Sequence, residues 1–176
     1  MALTATVYHL EVDLSDVDRG VYEALDLRVA LHPSETLQHL VTRAIAYCLS
    51  YQEGISFSRG LSATDEPAVW VKDPQGNLDL WLDVGSPSAE RLHKASKAAR
   101  RVAVFTHHDP AILLKQIQGE KIHRRDELEI WALNPRFVDA IASAISRHTR
   151  MSVVRNEEEI YVTVEKQNFT TKIERY

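Results

Sequence analysis

Residues 66–84 read EPAVWVKDPQGNLDLWLDV, and this stretch decides the fold. Its centre, Asp73-Pro74-Gln75-Gly76-Asn77, consists of residues that favour tight turns. The two flanking segments, Ala68–Lys72 and Leu78–Val84, are rich in valine, leucine and tryptophan, which are common in strands. The pattern therefore predicts a β-hairpin.

This hairpin brings two acidic residues close together. If the turn is centred on Gln75, Pro67 lies opposite Asp83, and Glu66 is the next residue along. A register error of one or two residues moves the strands by only a few ångströms, at about 3.3 Å per residue. We therefore expect the carboxylates of Glu66 and Asp83 to meet at one end of the hairpin.

The second strand of the hairpin alternates between two faces. Asp79, Trp81 and Asp83 share one face, and the intervening apolar residues share the face that we expect to contact the core. Paired carboxylates with a nearby lysine, such as Lys94 on the following helix, suit a hard divalent cation. The other reading is that this face is solvated and Glu66 lies in a turn.

The segments around the hairpin predict one domain of mixed α and β structure over residues 1–176. Ser34 is a plausible N-cap for a helix that continues at helical spacing to about Tyr51. The remaining elements follow from their periodicity. They are strands at 2–14, 21–31 and 55–59, a helix at 88–100, a strand at 102–106, a helix at 110–117, a strand at 128–133, a helix from 135 to about 147 and a hairpin within 151–175.

Composition narrows the class of protein. Hydrophobic residues make up 44% of the chain, enough for a sizeable core, and the lone Cys48 excludes an internal disulfide. We expect a soluble, cytoplasmic monomer with no membrane association, because the chain has neither a long apolar run nor a signal peptide. The formal net charge of −4 counts against a dedicated nucleic-acid coat protein, but it leaves room for a local basic patch or an acidic metal site.

Six short strings of the sequence are informative in combination. They are Leu3-Thr4-Ala5-Thr6, His32-Pro33-Ser34-Glu35-Thr36, Phe57-Ser58-Arg59-Gly60-Leu61, Asp65-Glu66-Pro67, Asp79-Leu80-Trp81 and Val102-Ala103-Val104-Phe105-Thr106. Together they resemble the YaeQ family. The resemblance covers roughly the whole chain and is most specific in residues 1–106. It implies an α/β (α+β-like) fold with a mixed central β-sheet flanked by helices, a variant of the PD-(D/E)XK restriction-endonuclease-like core.

The resemblance also implies a metal site. Glu35 matches the acidic residue on the first core helix, and Glu66 matches the aspartate of the PD element, although the order here is Glu-Pro. Asp83 matches the second acidic position, and Asp79 is a reserve ligand. These residues would hold Mg²⁺ or Mn²⁺, which can activate water and stabilise phosphate charge.

The sequence departs from the family motif at its lysine. Gly85 stands where that lysine is expected, two residues after Asp83, and Lys94 is the natural substitute. The spacing of Leu92 and Ala95 predicts, however, that Lys94 points away from the buried face of its helix. Catalysis therefore depends on whether the side chain of Lys94 reaches the acidic site.

Two functions remain open, and the sequence does not decide whether the chain is an enzyme. One is a metal-dependent phosphodiesterase acting on nucleic acid, and the other is an inactive nuclease-like binding module for nucleic acid or a transcription-related protein. Arg59 is a candidate phosphate contact, or an ion-pair partner of Glu66 or Asp65. The basic helix at 88–101 either follows a nucleic-acid backbone or presents a solvated face.

Overall fold

The computed structural model describes residues 4–59 and 64–176. Two predicted segments reach outside this range, namely the start of the first strand at residues 2 and 3 and the Gly60-Leu61 end of one family string. The first hairpin is confirmed, with strand β1 (Thr6–Asp16) antiparallel to β2 (Val21–Leu31). Strand β1 continues two residues beyond the predicted end, because Asp16 still lies opposite Val21.

Helix α1 (Leu37–Leu49) begins later than predicted. Its N-cap is Thr36, whose hydroxyl accepts the N–H of His39 at 3.2 Å. The predicted cap, Ser34, lies instead in a turn closed by the Glu35 N–H and the His32 carbonyl at 2.8 Å. This turn places Glu35 immediately before the helix rather than within its first turn.

The hairpin of residues 66–84 is confirmed as strands β4 (Val69–Lys72) and β5 (Leu78–Val84), with β3 (Ile55–Phe57) beside β4. Its register differs from the prediction by one residue. Val69 lies opposite Leu82, so that Ala68 and not Pro67 faces Asp83. An irregularity between Val71 and Lys72 accounts for the shift.

The basic residues after Asp83 divide between a helix and a strand. Helix α2 (Ala89–Ala98) ends before the predicted residue 100, because Ala99 has an extended backbone and starts strand β6 (Ala99–Thr106). Arg100 and Arg101 therefore belong to β6, and the basic stretch is not one helix face. Helix α3 (Pro110–Ile117) is confirmed with its predicted bounds.

The C-terminal third contains more strands than predicted. A 3-10 turn at Arg125–Glu127 precedes strand β7 (Glu129–Ala132). Helix α4 (Pro135–Ala144) follows and ends where Ile145 becomes extended. The tail forms a three-stranded meander rather than only a hairpin, and its elements are β8 (His148–Asn156), β9 (Glu159–Val164) and β10 (Gln167–Lys172), followed by the short β11 (Glu174–Arg175).

The described strands form two mixed sheets, where the sequence predicted one central sheet. One has the order β10-β9-β8-β1-β2 and the other β11-β7-β6-β5-β4-β3. The N-terminal hairpin belongs to the first sheet because β1 pairs in parallel with β8 from the C-terminal third. Helix α1 contacts strands of both sheets, and α4 packs beside it.

The second sheet is buried on both faces. Leu80 and Leu82 belong to the core shared with α1, whereas Trp81 packs with α2 and α3 on the opposite face. The interpretation of the Asp83 face as solvated is therefore wrong, since Asp83 is buried. Among the described residues, no helix has the length and apolar character needed to cross a membrane.

Candidate functional site

A pocket of about 250 Å³ lies where α1, the segment before β4, the end of β5 and the start of α2 meet. The three acidic residues assigned by sequence, Glu35, Glu66 and Asp83, all line it. Polar residues contributed by α1 and α2 also line it, and they are His39, Arg43 and Arg91. The structure thus brings three acidic residues that are far apart in the sequence to one pocket.

Glu35 forms one wall of the pocket in a buried network. His39 and Arg43 follow it at intervals of four residues, which places them on the same side of α1. The carboxylate of Glu35 lies 2.6 Å from His39 Nδ1 and 3.0 Å from Arg43 Nη2, and it accepts the His32 N–H at 3.1 Å. Burial lowers the pKa of Arg43, and the charge of Glu35 opposes this shift.

Asp83 lines the same pocket and forms a two-bond ion pair with Arg91. Arg91 donates from Nε to Oδ2 and from Nη2 to Oδ1, both at 2.8 Å. The same guanidinium donates to the carbonyls of Thr64 at 2.6 Å and Glu66 at 2.7 Å. The hydrogen bonds to Asp83 raise the pKa of Arg91. Arg91 therefore joins three parts of the chain at the pocket.

A tight turn positions Arg91 beside Asp83. Gly85 follows β5 with a φ of +97°, a conformation that favours glycine. Ser88 then caps α2 by accepting the N–H of Arg91 at 3.2 Å. Because the strand and helix are joined so closely, the first turn of α2 lies next to the end of β5.

Glu66 pairs with Arg59, which was one of the two alternatives left open by sequence. Arg59 donates to the carboxylate from Nε at 3.1 Å, from Nη2 at 2.8 Å and from its backbone N–H at 3.2 Å. These bonds lower the pKa of Glu66 and raise that of Arg59. The phosphate contact predicted for Arg59 stays a prediction.

The carboxylates do not fit a divalent ion in this arrangement. Each one is already bonded to an arginine, namely Arg43, Arg59 or Arg91. Within residues 4–59 and 64–176, no group of three histidine, cysteine, aspartate or glutamate side chains is placed so that it could hold a metal. Carboxylate oxygens are suitable ligands for Mg²⁺ or Mn²⁺, but these already accept hydrogen bonds from guanidinium groups.

Two of the predicted site residues lie outside the pocket. Lys94 is 74% exposed and pairs with Glu90, one turn earlier on α2, at 3.1 Å. Asp79 lies four residues before Asp83 on β5, roughly 13 Å away along an extended strand. It pairs with Arg100 at 2.9 Å. The structure therefore does not bring Lys94 or Asp79 to the three acids.

The sequence did not identify His39 and Arg43 as partners of Glu35, or Arg91 as the partner of Asp83. For His39 and Arg43 a signal was present, because the spacing Glu35-x-x-x-His39-x-x-x-Arg43 follows one side of a helix. For Arg91 the signal was weaker. It lies on α2 with Lys94 and Lys97, and nothing in the local sequence distinguishes the inward-facing arginine from the solvated lysines.

These observations define a mixed α+β protein with two mixed sheets and, in its described part, four α-helices around an acidic pocket neutralised by arginines. The sequence model described as "YaeQ protein" matches residues 1–173. The chain therefore belongs to the YaeQ family.

Relatives and solved structures agree with this assignment. The chain is 30% identical to "Uncharacterized protein YaeQ" of Escherichia coli (strain K12) over 174 residues, covering 98% of this chain and 96% of that protein. It is 36% identical to the Salmonella typhi protein of the same description over 135 residues, covering 76% and 75%. The crystal structure of the YaeQ protein from Xanthomonas axonopodis pv. citri superposes with a TM-score of 0.89 at 32% identity, over 98% of both chains. That from Pseudomonas syringae gives 0.87 at 30% identity, over 97% of this chain and 95% of that chain.

Proposed function

We propose that the chain is a nuclease-like binding module whose arginine-lined pocket contacts the phosphate backbone of nucleic acid without a metal ion. The nuclease-like part rests on the resemblance of residues 1–106 to a PD-(D/E)XK variant. The proposal that the pocket binds phosphate rests on one observation, the difference in solvent exposure between the two partners of each ion pair. In the pairs at Asp83 and Glu66, the carboxylate is less exposed than its arginine, which lies nearer the solvent.

The exposed fractions of the side chains show this layering. Asp83 is 4% exposed and Arg91 is 30% exposed, while Glu66 is 15% exposed and Arg59 is 71% exposed. Glu35 is 1% exposed, and its partner His39 is 23% exposed. At Asp83 and Glu66, a ligand that approaches the pocket therefore meets the guanidinium first, with the compensating carboxylate behind it.

Arginine suits the recognition of phosphate. Its guanidinium stays charged at all physiological pH values and donates several hydrogen bonds in one plane. Glu66 and Asp83 orient Arg59 and Arg91 through two side-chain hydrogen bonds each, which lowers the conformational entropy that binding would otherwise cost. The overall negative charge of the chain predicts weak, salt-sensitive binding rather than the high affinity of a protein that coats nucleic acid.

The test is fluorescence anisotropy with labelled single-stranded and double-stranded oligonucleotides in EDTA, over a series of salt concentrations. We expect Arg59→Gln to weaken binding and to reduce the salt slope by about 1. Lys94→Gln is the matched control, because it removes the same charge from a residue that pairs with Glu90 and not with an acid of the pocket. No binding by the wild type, or equal losses in the two variants, would refute the proposal.

A second candidate is the metal-dependent phosphodiesterase, with Glu35, Glu66 and Asp83 binding Mg²⁺ or Mn²⁺. It is favoured by one observation, the convergence of these three acids on a single pocket. It requires Arg59 and Arg91 to release their carboxylates. Incubating the same oligonucleotides with Mg²⁺ or Mn²⁺ distinguishes the candidates. Cleavage that disappears in Asp83→Ala supports the enzyme, whereas cleavage that survives indicates a contaminant.

A further inference from the structure

The pocket has apolar walls between its ion pairs. Four apolar residues line it, namely Pro67 and Ala68 just before β4, Val84 at the end of the neighbouring β5, and Pro87 in the turn into α2. The prolines are buried, and Ala68 and Val84 are partly exposed. The pocket thus combines an apolar interior with cationic groups nearer the solvent.

The volume limits what can enter. About 250 Å³ corresponds to roughly eight water molecules at liquid density. This is slightly below the range of about 300–1,000 Å³ that is common for drug-sized ligands. A base-paired duplex keeps its bases stacked inside the helix and is too wide to enter such a space. The size therefore suits part of one nucleotide that is not paired.

We propose that the pocket takes a single unpaired nucleotide from a single-stranded nucleic acid. This inference rests on the proposed function and specifies its ligand. The base or the sugar packs against Pro67, Ala68, Val84 and Pro87, and the adjoining phosphates lie near Arg59 and Arg91. An apolar surface tolerates any of the bases, because each has a flat hydrophobic face.

His39 adds a polar contact to the same site. A carboxylate can only accept, so the 2.6 Å contact to Glu35 places a proton on His39 Nδ1. In the neutral ring, Nε2 is then an acceptor for a donor group on the base or the sugar. The buried network of Glu35 and Arg43 holds the ring in this orientation.

The test fills the pocket without changing its charges. Ala68→Leu adds apolar volume at a lining position, and Ala24→Leu makes the same change at an exposed residue of β2 as a control. We expect Ala68→Leu to weaken binding of a short oligothymidylate by roughly tenfold, and to leave binding of a duplex unchanged. Ala24→Leu should leave the affinity for both oligonucleotides unchanged.

Two further measurements test the same inference independently of Ala68→Leu. Val84→Phe fills the pocket from the neighbouring strand β5 and should have the same selective effect as Ala68→Leu. Thymidine monophosphate should compete with the oligothymidylate for the wild-type protein, and this measurement needs no variant. If folded filling variants bind the single strand as well as the wild type does, or if the monophosphate does not compete, the inference is wrong. The proposed function fails separately, when Arg59→Gln has no more effect than Lys94→Gln.

Discussion

Asp83 and Arg91 form a bidentate ion pair, with both nitrogen–oxygen distances at 2.8 Å. The pair joins the end of strand β5 to the first turn of helix α2. The carboxylate is 4% exposed, so it depends on the guanidinium for its charge compensation. Arg91 also holds the carbonyls of Thr64 and Glu66. This single side chain therefore stabilises the pocket and occupies the carboxylate that a metal would need.

We predict that Arg91→Ala destabilises the protein. Removing one partner leaves the charge of Asp83 buried, and breaking such pairs costs about 3 kcal/mol. Chemical unfolding in urea measures the loss of free energy. Lys94→Ala is the control on the same helix, because its pair with Glu90 is exposed to solvent and contributes little. Equal unfolding midpoints for the two variants would contradict the role assigned to Arg91.

A second prediction compares two glycines with the same backbone angle. Gly54 and Gly76 both have a φ of +86°, so alanine strains both positions by about 1 kcal/mol. A Cβ at Gly54 would lie 2.2 Å from the Lys72 carbonyl oxygen, whereas one at Gly76 meets nothing within 4 Å. We expect Gly54→Ala to lower the melting temperature clearly more than Gly76→Ala. A similar decrease in both variants would show that the close approach of Gly54 to β4 is not important for stability.

A third prediction concerns the pH dependence of stability. Burial lowers the pKa of His107 to about 4, and the nearby His108 and His39 add to the shift. Thr42 Oγ1 donates to the Gln38 carbonyl and lies 3.0 Å from His107 Nδ1, so the neutral ring donates to Thr42. In the unfolded chain the histidine has its ordinary pKa of about 6.5. Between these two values the unfolded state binds more protons, and stability should fall as the pH decreases from about 6.5 to about 4.

The measurement is urea unfolding at several pH values, for the wild type and for His107→Gln. Glutamine retains a donor for Thr42 but does not titrate. The difference in unfolding free energy between the two proteins should change in this pH window, with the wild type losing more. A constant difference would mean that His107 takes up its proton equally in the folded and unfolded states.

The sequence predicted the hairpin of residues 66–84 and placed Glu66 and Asp83 at the same end of it, where both line one pocket, because both features depend on local sequence. Turn residues define the centre of the hairpin. The regular spacing of residues along the two strands then determines which residues lie opposite each other at the open end. Glu35 came from the resemblance rather than from spacing. The one-residue register shift arises at the irregularity after Val71, which no turn residue signals.

The remaining features depend on contacts between distant segments. The parallel pairing of β1 with β8 joins the two ends of the chain in one sheet, and alternation within either strand does not identify its partner. One reading of the sequence left the face of Asp79 and Asp83 solvated, but α2 and α3 cover that side of the sheet at Trp81. Arg91 was missed for the same reason, since only the packing of α2 against β5 shows which basic side chain faces Asp83.

The last prediction tests whether a cation competes with the arginines. Because Arg43, Arg59 and Arg91 already neutralise the three carboxylates, MgCl₂ or MnCl₂ should leave the melting temperature of the wild type unchanged relative to KCl at the same ionic strength. A bound ion would stabilise the folded state by RT ln(1 + [L]/Kd), so that a rising melting temperature reports affinity directly. In Arg91→Ala the Asp83 carboxylate loses the guanidinium that neutralises it. Any increase in melting temperature caused by Mg²⁺ should therefore occur in this variant at a lower Mg²⁺ concentration than in the wild type. Stabilisation of the wild type that is lost in Asp83→Ala would instead show that the carboxylates exchange arginine for metal, which favours the phosphodiesterase over the binding module.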